Sequence, residues 1–185
     1  MYRIDDDIHL EPSDFYWGKS PEKIHTVLGS CISVTVWNPV RKSGGMCHYM
    51  LTRNVLRKDG PPDPRYCEDS MDLIFKFVKE ENLNPSRYQV KIFGGAAMFA
   101  DGASRIGDAN IRCAEEHLTS HGFIIAARHV GGDSSRHIVF ELETGDVWVK
   151  TQKGSRISEA DMDRCTDDSP VQRAGSIHRL GDLYG

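Results

Sequence analysis

Residues 28–51 read LGSCISVTVWNPVRKSGGMCHYML, and this stretch predicts a β-hairpin. Its residues 32–37 alternate apolar and polar side chains and are rich in β-branched and aromatic types, which indicates a strand. An Asn-Pro pair at 38–39 begins a turn, and we expect the Gly-Gly pair at 44–45 to close it. Residues 46–51 then form the partner strand.

The rest of the chain predicts two main helices and several more strands. Apolar side chains at helical spacing indicate a helix up to about residue 81, with Asp69 or Ser70 as its N-cap. A second helix is predicted over residues 108–121, and Gly122 is expected to end it. Further strands are predicted at residues 88–93, 123–130, 135–143 and 145–150. The pattern indicates an α/β domain with more strand than helix.

Three segments are expected along the chain. Residues 1–22 contain prolines and a glycine as breakers and are predicted to be an irregular N-terminal lead-in. Its aromatic residues 15–17 are expected to pack it onto the body of the protein. Residues 23–150 form the predicted domain. Residues 151–185 are polar and are expected to be a partly flexible surface tail.

Composition excludes several functional classes. The 185 residues are 39% hydrophobic and 27% charged, which is typical of soluble globular proteins. The net charge of −4 argues against a nucleic-acid-binding protein. We find neither a signal peptide at the N-terminus nor an apolar run long enough to cross a membrane. Five cysteines without a C-x-x-C pair argue against a secreted disulfide framework, so we infer a reducing cytoplasm.

The hairpin brings a cysteine and a histidine into a chemically useful arrangement. Small residues precede Cys31, so the chain can bend there and expose a thiol. His48 lies in the partner strand, and a nearby imidazole supplies thiolate at neutral pH. The alternative is that both residues are structural, because an isolated strand cysteine is usually a buried apolar residue. Cys47 is expected to face away, since adjacent strand residues point to opposite faces.

A metal site is a weaker hypothesis. His117 and His121 are spaced i, i+4 on one helix, as some metal ligands are. Neither the H-E-x-x-H order nor an obvious third ligand accompanies them. We therefore expect a solvated helix face there, and a protein that needs neither a metal nor an organic cofactor.

Four motifs resemble those of the chemoreceptor glutamine deamidases, the CheD family. They are LGSCISV at 28–34, GGMCHYML at 44–51, KIFGGAAMF at 91–99 and IGDAN at 106–110. Gly131-Gly132 and Glu143-Thr144-Gly145 are similar to the late hairpin of that family. The resemblance covers roughly residues 23–150, and the motifs follow one another in the family's order.

The resemblance implies a fold and a set of site residues. The implied fold is a layered α/β/β sandwich with mixed sheets, similar to the catalytic domain of cytotoxic necrotising factor. Cys31 matches the family's nucleophile and His48 its base. A threonine upstream of the cysteine is the third member, and Thr26 is the candidate here. In some members this threonine lies one residue further from the cysteine, and this chain has His25 at that position.

The resemblance also implies an activity and partners. Family members convert glutamines of methyl-accepting chemotaxis receptors to glutamate, so the chain is expected to be a protein-glutamine deamidase in the cytoplasm. Expected partners are chemoreceptors and, in some bacteria, the CheC phosphatase. The alternative is a non-enzymatic chemotaxis adaptor that binds receptors or that phosphatase, with Cys31 incidental. A thiol transglutaminase or protease is a third reading.

Overall fold

The structure is a computed structural model, and it describes residues 1–4, 7–19, 23–53, 61–97, 103–153 and 178–179. Two α-helices, one short 3-10 helix and eleven strands lie within these ranges. The strands are β1 (Tyr2–Ile4), β2 (Asp7–His9), β3 (Phe15–Lys19), β4 (Lys23–Leu28), β5 (Ile32–Asn38), β6 (Ser43–Tyr49), β7 (Gln89–Gly94), β8 (Ile124–Val130), β9 (Ser134–Glu141), β10 (Asp146–Lys153) and β11 (His178–Arg179). The helices are α1 (Cys67–Glu80), the 3-10 helix (Pro85–Arg87) and α2 (Ala103–Ser120).

The strands form two mixed sheets. Sheet A has the order β1-β2-β4-β9-β10, and sheet B has the order β11-β3-β6-β5-β7-β8. Each sheet contains one parallel pair, β2 with β4 in sheet A and β7 with β8 in sheet B. The remaining neighbours are antiparallel.

Two apolar cores define three layers, so the predicted α/β/β sandwich is confirmed. Alternate residues of β5 show how sheet B separates the cores, since successive strand residues point to opposite faces. Val34 and Val36 face the helices and pack with Met71 of α1. Trp37 faces sheet A and packs with Phe140 of β9. Sheet B is therefore the middle layer, and the space between the two sheets is a second core.

The hairpin of β5 and β6 is confirmed, but its turn differs from the prediction. The ladder pairs Asn38 with Ser43, so the turn consists of residues 39–42. The side-chain oxygen of Asn38 accepts hydrogen bonds from the N–H groups of Val40 and Arg41, and these bonds close the turn locally. The glycines at 44–45 are therefore not needed in the turn, and both lie inside β6.

Both helices begin earlier than predicted. The structure places Asp69 and Ser70 inside α1, so the predicted N-cap is wrong; Tyr66 holds that position without a side-chain cap. The carbonyls of Leu51 and Thr52 instead accept the first N–H groups of the helix. Helix α2 begins at Ala103, five positions before the predicted start at residue 108.

Both terminal segments contain strands that the pattern did not predict. The predicted lead-in is not irregular, because it contains β1, β2 and β3, whose pairing partners include the distant strands β4 and β6. The aromatic residues 15–17 are buried, as expected. The tail contributes the end of β10 and the short β11, which pairs with β3. Most of the tail lies outside the described residues, and the division of the chain at residues 22 and 150 stays a prediction.

A disulfide joins the two helices, between Cys67 at the start of α1 and Cys113 in α2. The cysteine pattern argued against a secreted disulfide framework and did not indicate this single bond. The position of Cys67 at the start of α1 brings it against Cys113 of α2. Cys31 and Cys47 are free cysteines.

Candidate functional site

The bend before β5 carries Cys31, whose side chain packs, partly buried, against the inter-sheet core. Two N–H groups beyond the end of β7 hold this bend: Gly95 donates to the carbonyl of Cys31 over 2.8 Å, and Ala96 donates to that of Gly29 over 2.9 Å. Gly94 has a φ of 106°, and a Cβ there would lie 2.1 Å from the Cys31 carbonyl oxygen. Only glycine permits this approach, so the glycine pair supports the bend that carries the thiol.

His48 and Cys31 lie on the same side of sheet B. In the ladder, His48 is opposite Ser33, two residues after Cys31. Cys47 belongs to the core beneath the helices, whereas Cys31 packs against the core between the sheets. His48 also faces the inter-sheet space, because it contacts Thr26 of sheet A. Cys47 therefore points away from the thiol–imidazole pair, as the strand alternation predicts.

Thr26 orients the imidazole of His48. Its hydroxyl lies 2.7 Å from the carbonyl oxygen of Leu10 and 2.8 Å from Nδ1 of His48. A carbonyl only accepts, so the single hydroxyl proton of Thr26 is donated to Leu10. Nδ1 must then carry the ring proton and donate it to the threonine. This leaves Nε2 of the neutral ring as a proton acceptor, which is the tautomer that a general base requires.

His25 does not share this position. Its ring faces the opposite side of β4, where Nε2 lies 2.8 Å from the carboxylate of Asp7. It stacks on His9 with ring centroids 4.8 Å apart. Of the two candidates for the third site residue, Thr26 is therefore the one that contacts His48.

Burial determines the protonation states of the pair. It lowers the pKa of His48 to about 4, against the opposing effects of the Leu10 carbonyl and the Asp14 carboxylate. Burial raises the pKa of the Cys31 thiol, and its own backbone N–H opposes that shift. At neutral pH the free protein therefore holds a thiol and a neutral imidazole. Deprotonation of Cys31 must then accompany its attack on a substrate, because a standing ion pair is unfavourable here.

Nε2 of His48 is buried and has no hydrogen-bond partner among the described residues. Within the same part of the chain, no hydrogen bond joins it to Cys31. Catalytic hydrogen bonds are often long in a free enzyme and shorten when substrate binds. The free Nε2 and the thiol on one sheet face are thus an arrangement that can abstract and return one proton.

The structure also bears on the histidine pair of α2, which was considered as a metal site, and on the question of a membrane-spanning helix. His121 stacks on Phe75 with centroids 3.7 Å apart, and its Nδ1 lies 2.8 Å from the carbonyl oxygen of His117. In the ranges that the structure describes, no group of three histidine, cysteine, aspartate or glutamate residues is placed to hold a metal ion. Within those ranges, neither helix is long and apolar enough to span a membrane.

Sequence reasoning missed two contributors to the site. The carbonyl of Leu10, from the predicted lead-in, binds Thr26. Asn110 of α2 binds the carbonyl of Ser30, next to Cys31. The IGDAN motif contained Asn110, but nothing in the pattern indicated what its side chain contacts.

A half-buried thiol, an imidazole with a free nitrogen and a threonine bound to it, held in a helix–sheet–sheet sandwich, are an arrangement that cysteine hydrolases use. The family model described as "CheD chemotactic sensory transduction" matches residues 50–151, more than half of the chain. The matched segment begins two residues after His48. The chain belongs to the CheD family.

Curated relatives agree with this assignment. The chain is 34% identical to the "Probable chemoreceptor glutamine deamidase CheD 3" of Dechloromonas aromatica, over 80% of this chain and 89% of the relative. It is 37% identical to the "Probable chemoreceptor glutamine deamidase CheD 1" of Leptospira interrogans, over 78% and 92%. A relative named "Probable chemoreceptor glutamine deamidase CheD" from Pseudomonas savastanoi is 34% identical, over 79% and 85%.

Proposed function

We propose that this protein is a protein-glutamine deamidase of chemoreceptors, with Cys31 as nucleophile, His48 as general base and acid, and Thr26 as the residue that orients His48. The observation that carries the proposal is the bond between Thr26 and Nδ1 of His48, because it leaves Nε2 unprotonated on the face of the sheet that also bears Cys31. The names of the relatives supply the reaction and the class of substrate.

The first half of the reaction forms a thioester. Nε2 of His48 takes the proton of the Cys31 thiol while the sulfur attacks the carboxamide carbon of a receptor glutamine. The backbone N–H of Cys31 opposes the rise that burial causes in the pKa of its thiol, and so favours the thiolate. Backbone N–H groups near residues 30–31 also stabilise the developing oxyanion. His48 then protonates the departing nitrogen, the C–N bond breaks and ammonia leaves.

The second half restores the enzyme. Nε2 of His48, neutral again, takes a proton from a water molecule that attacks the thioester carbon. The C–S bond breaks, the proton passes to the Cys31 sulfur, and glutamate remains on the receptor. Each turnover adds one negative charge to a receptor helix, and such charges change helix–helix packing.

The proposal also covers the location of this protein and a second binding partner. Chemoreceptor signalling domains lie in the cytoplasm, so we place the protein there. A CheC-type phosphatase is proposed as a further partner on the basis of the family resemblance. Co-purification of the protein with such a phosphatase from the same organism tests this part, and failure of purified partners to associate would remove it.

The decisive experiment is mass spectrometry of a receptor cytoplasmic domain incubated with and without the purified protein. We expect specific glutamines to appear as glutamates, together with release of ammonia in equal amount. Receptor binding without any amide-to-acid conversion would support the adaptor alternative. An amine donor incorporated at the glutamine would indicate a transglutaminase, and a cut backbone would indicate a protease.

A further inference from the structure

Asn110 of α2 is fully buried at the open end of the β5–β6 hairpin. Its Nδ2 donates to the carbonyl of Met50 over 2.8 Å and to the carbonyl of Ser30 over 3.3 Å. Both partners only accept, so the orientation of the amide is unambiguous. A single side chain thus connects the residue before Cys31 with the residue two places after His48.

The side-chain amide of Asn110 lies where the next backbone hydrogen bonds between β5 and β6 would otherwise form. The last pair in that ladder is Ile32 with Tyr49. Beyond it, the N–H of Met50 donates to the carbonyl of Arg65 and no longer to the opposite strand. The strands therefore separate where the nucleophile begins, and the side chain of Asn110 bridges the gap.

The backbone around Asn110 is itself firmly placed. The hydroxyl of Tyr49 donates to the Asn110 carbonyl over 2.7 Å. One turn earlier, a Cβ on Gly107 would lie 2.5 Å from the Gly95 carbonyl oxygen, so α2 touches the segment after β7 directly. The side chain of Asn110 therefore extends from a helix that contacts both β6 and the segment after β7.

We propose that Asn110 is a positioning residue that sets the separation between the Cys31 thiol and Nε2 of His48. The proposal rests on the deamidation proposed above. Asn110 is fully buried, so it does not touch the substrate and acts only through the two strands. A displacement of about 1 Å between reacting groups lowers a rate about 100-fold.

The first test is the steady-state kinetics of Asn110→Ala on a receptor domain, corrected for the folded fraction. We expect kcat to fall about 100-fold while KM changes little, because geometry is lost but the binding surface is kept. A kcat equal to that of the unmodified protein would overturn the proposal.

Asn38 is a matched control at the other end of the same hairpin. It is buried to the same degree, and its Nδ2 also donates to a backbone carbonyl, that of Arg87. We expect Asn38→Ala to lower the melting temperature without changing kcat. An equal loss of kcat in both variants would reduce Asn110 to a general stabilising residue and overturn its positioning role.

The second test needs no receptor, so it holds even if the unmodified protein does not deamidate. Alkylation of Cys31 by iodoacetamide is followed against pH in a Cys47→Ala, Cys165→Ala background, which leaves Cys31 as the one cysteine outside the Cys67–Cys113 disulfide. Loosening the bend exposes the thiol, so we expect Asn110→Ala to alkylate about tenfold faster at neutral pH, with the inflection nearer the ordinary thiol pKa. An unchanged alkylation profile would contradict the proposal.

Asn110→Asp supplies a variant of nearly equal volume in case the alanine variant does not fold. An ionised carboxylate cannot donate to the two carbonyls, but the protonated acid can donate to one of them. We therefore expect kcat of Asn110→Asp, relative to the unmodified protein, to rise as the pH is lowered from about 8 to about 6. A ratio independent of pH would count against the bridge.

Discussion

The two buried asparagines at the ends of the β5–β6 hairpin differ in how their side-chain oxygens are paired. At the turn end, the side-chain oxygen of Asn38 accepts the N–H groups of Val40 and Arg41. At the open end, Nε2 of His48 and the side-chain oxygen of Asn110 have no hydrogen-bond partner among the described residues. Buried polar groups are usually paired, so these two unpaired atoms require an explanation.

The comparison separates what stabilises the hairpin from what makes it reactive. An unpaired buried polar group costs about 1–3 kcal/mol. Such a cost is typical of functional sites, where a group is kept available for a reaction. Near the turn end, Nε1 of Trp37 carries the same cost, but this residue is not part of the site. Substitutions at the open end should therefore affect catalysis more than stability.

The largest effect is expected from Cys31→Ala, which removes the atom that forms the thioester. We predict that ammonia release from a receptor domain falls to the uncatalysed level, while Cys47→Ala retains activity at equal folded fraction. Cys47 faces the core beneath the helices and cannot replace the nucleophile. Retained activity in a folded Cys31→Ala protein would refute the assignment.

His48→Gln should have the next largest effect. Loss of a general base typically lowers a rate by about two to four orders of magnitude. We expect that loss in deamidation, measured by mass spectrometry of the receptor domain, with receptor binding preserved. A variant of undiminished activity would place the base elsewhere and would remove the functional contrast between the two ends of the hairpin.

The pH dependence of stability should report the burial of His48. Its pKa is about 4 in the folded protein against an ordinary value of 6.5. Between these values the unfolded chain binds a proton that the folded protein does not. The free energy of unfolding should therefore fall as the pH drops from about 6.5 to about 4, by up to about 3 kcal/mol from this residue, and its contribution should be constant above that range.

Urea unfolding of the unmodified protein and of His48→Gln as a function of pH measures this contribution. Burial also lowers the pKa of His137 to about 4, but His137 is present in both proteins, so its effect cancels in the difference. Identical pH dependence in the two proteins would show that His48 is not buried as described.

Thr26→Val should have the smallest effect of the four. It keeps the shape of the side chain but removes the acceptor for Nδ1 of His48. One such hydrogen bond contributes about 0.5–1.5 kcal/mol, so we expect a decrease in kcat of about tenfold. His25→Ala is the control, because its ring faces Asp7 on the other side of β4, and a larger loss there would reverse the assignment.

Local patterns predicted the central part of the fold well. The alternation in residues 32–37 indicated β5, and the hairpin, both helices and the later strands were found where expected, apart from their ends. The predicted helix starts were wrong for a physical reason. The first N–H groups of α1 bind the carbonyls of Leu51 and Thr52, which belong to a preceding segment and not to a capping side chain. A search for capping residues cannot detect such partners.

The N-terminal strands were not predicted, for a related reason. Strand β2 exists because it pairs with β4, and β3 exists because it pairs with β6. Strand β2 has only three residues, β3 contains Gly18, and neither shows clear alternation, so intrinsic preference did not indicate strands. Strand formation depends strongly on the neighbouring strands, more than helix formation depends on its surroundings.

The sequence by itself determined the hairpin, the shared face of Cys31 and His48, and the opposite face of Cys47. These follow from the two-residue period of a strand and from residues close together in the chain. Only the tertiary structure decided that Thr26 contacts His48 and that Asn110 bridges the open end. Thr26 comes from the other sheet and Asn110 from a helix some 60 residues later, so packing of the layers determines which of their atoms reach the hairpin.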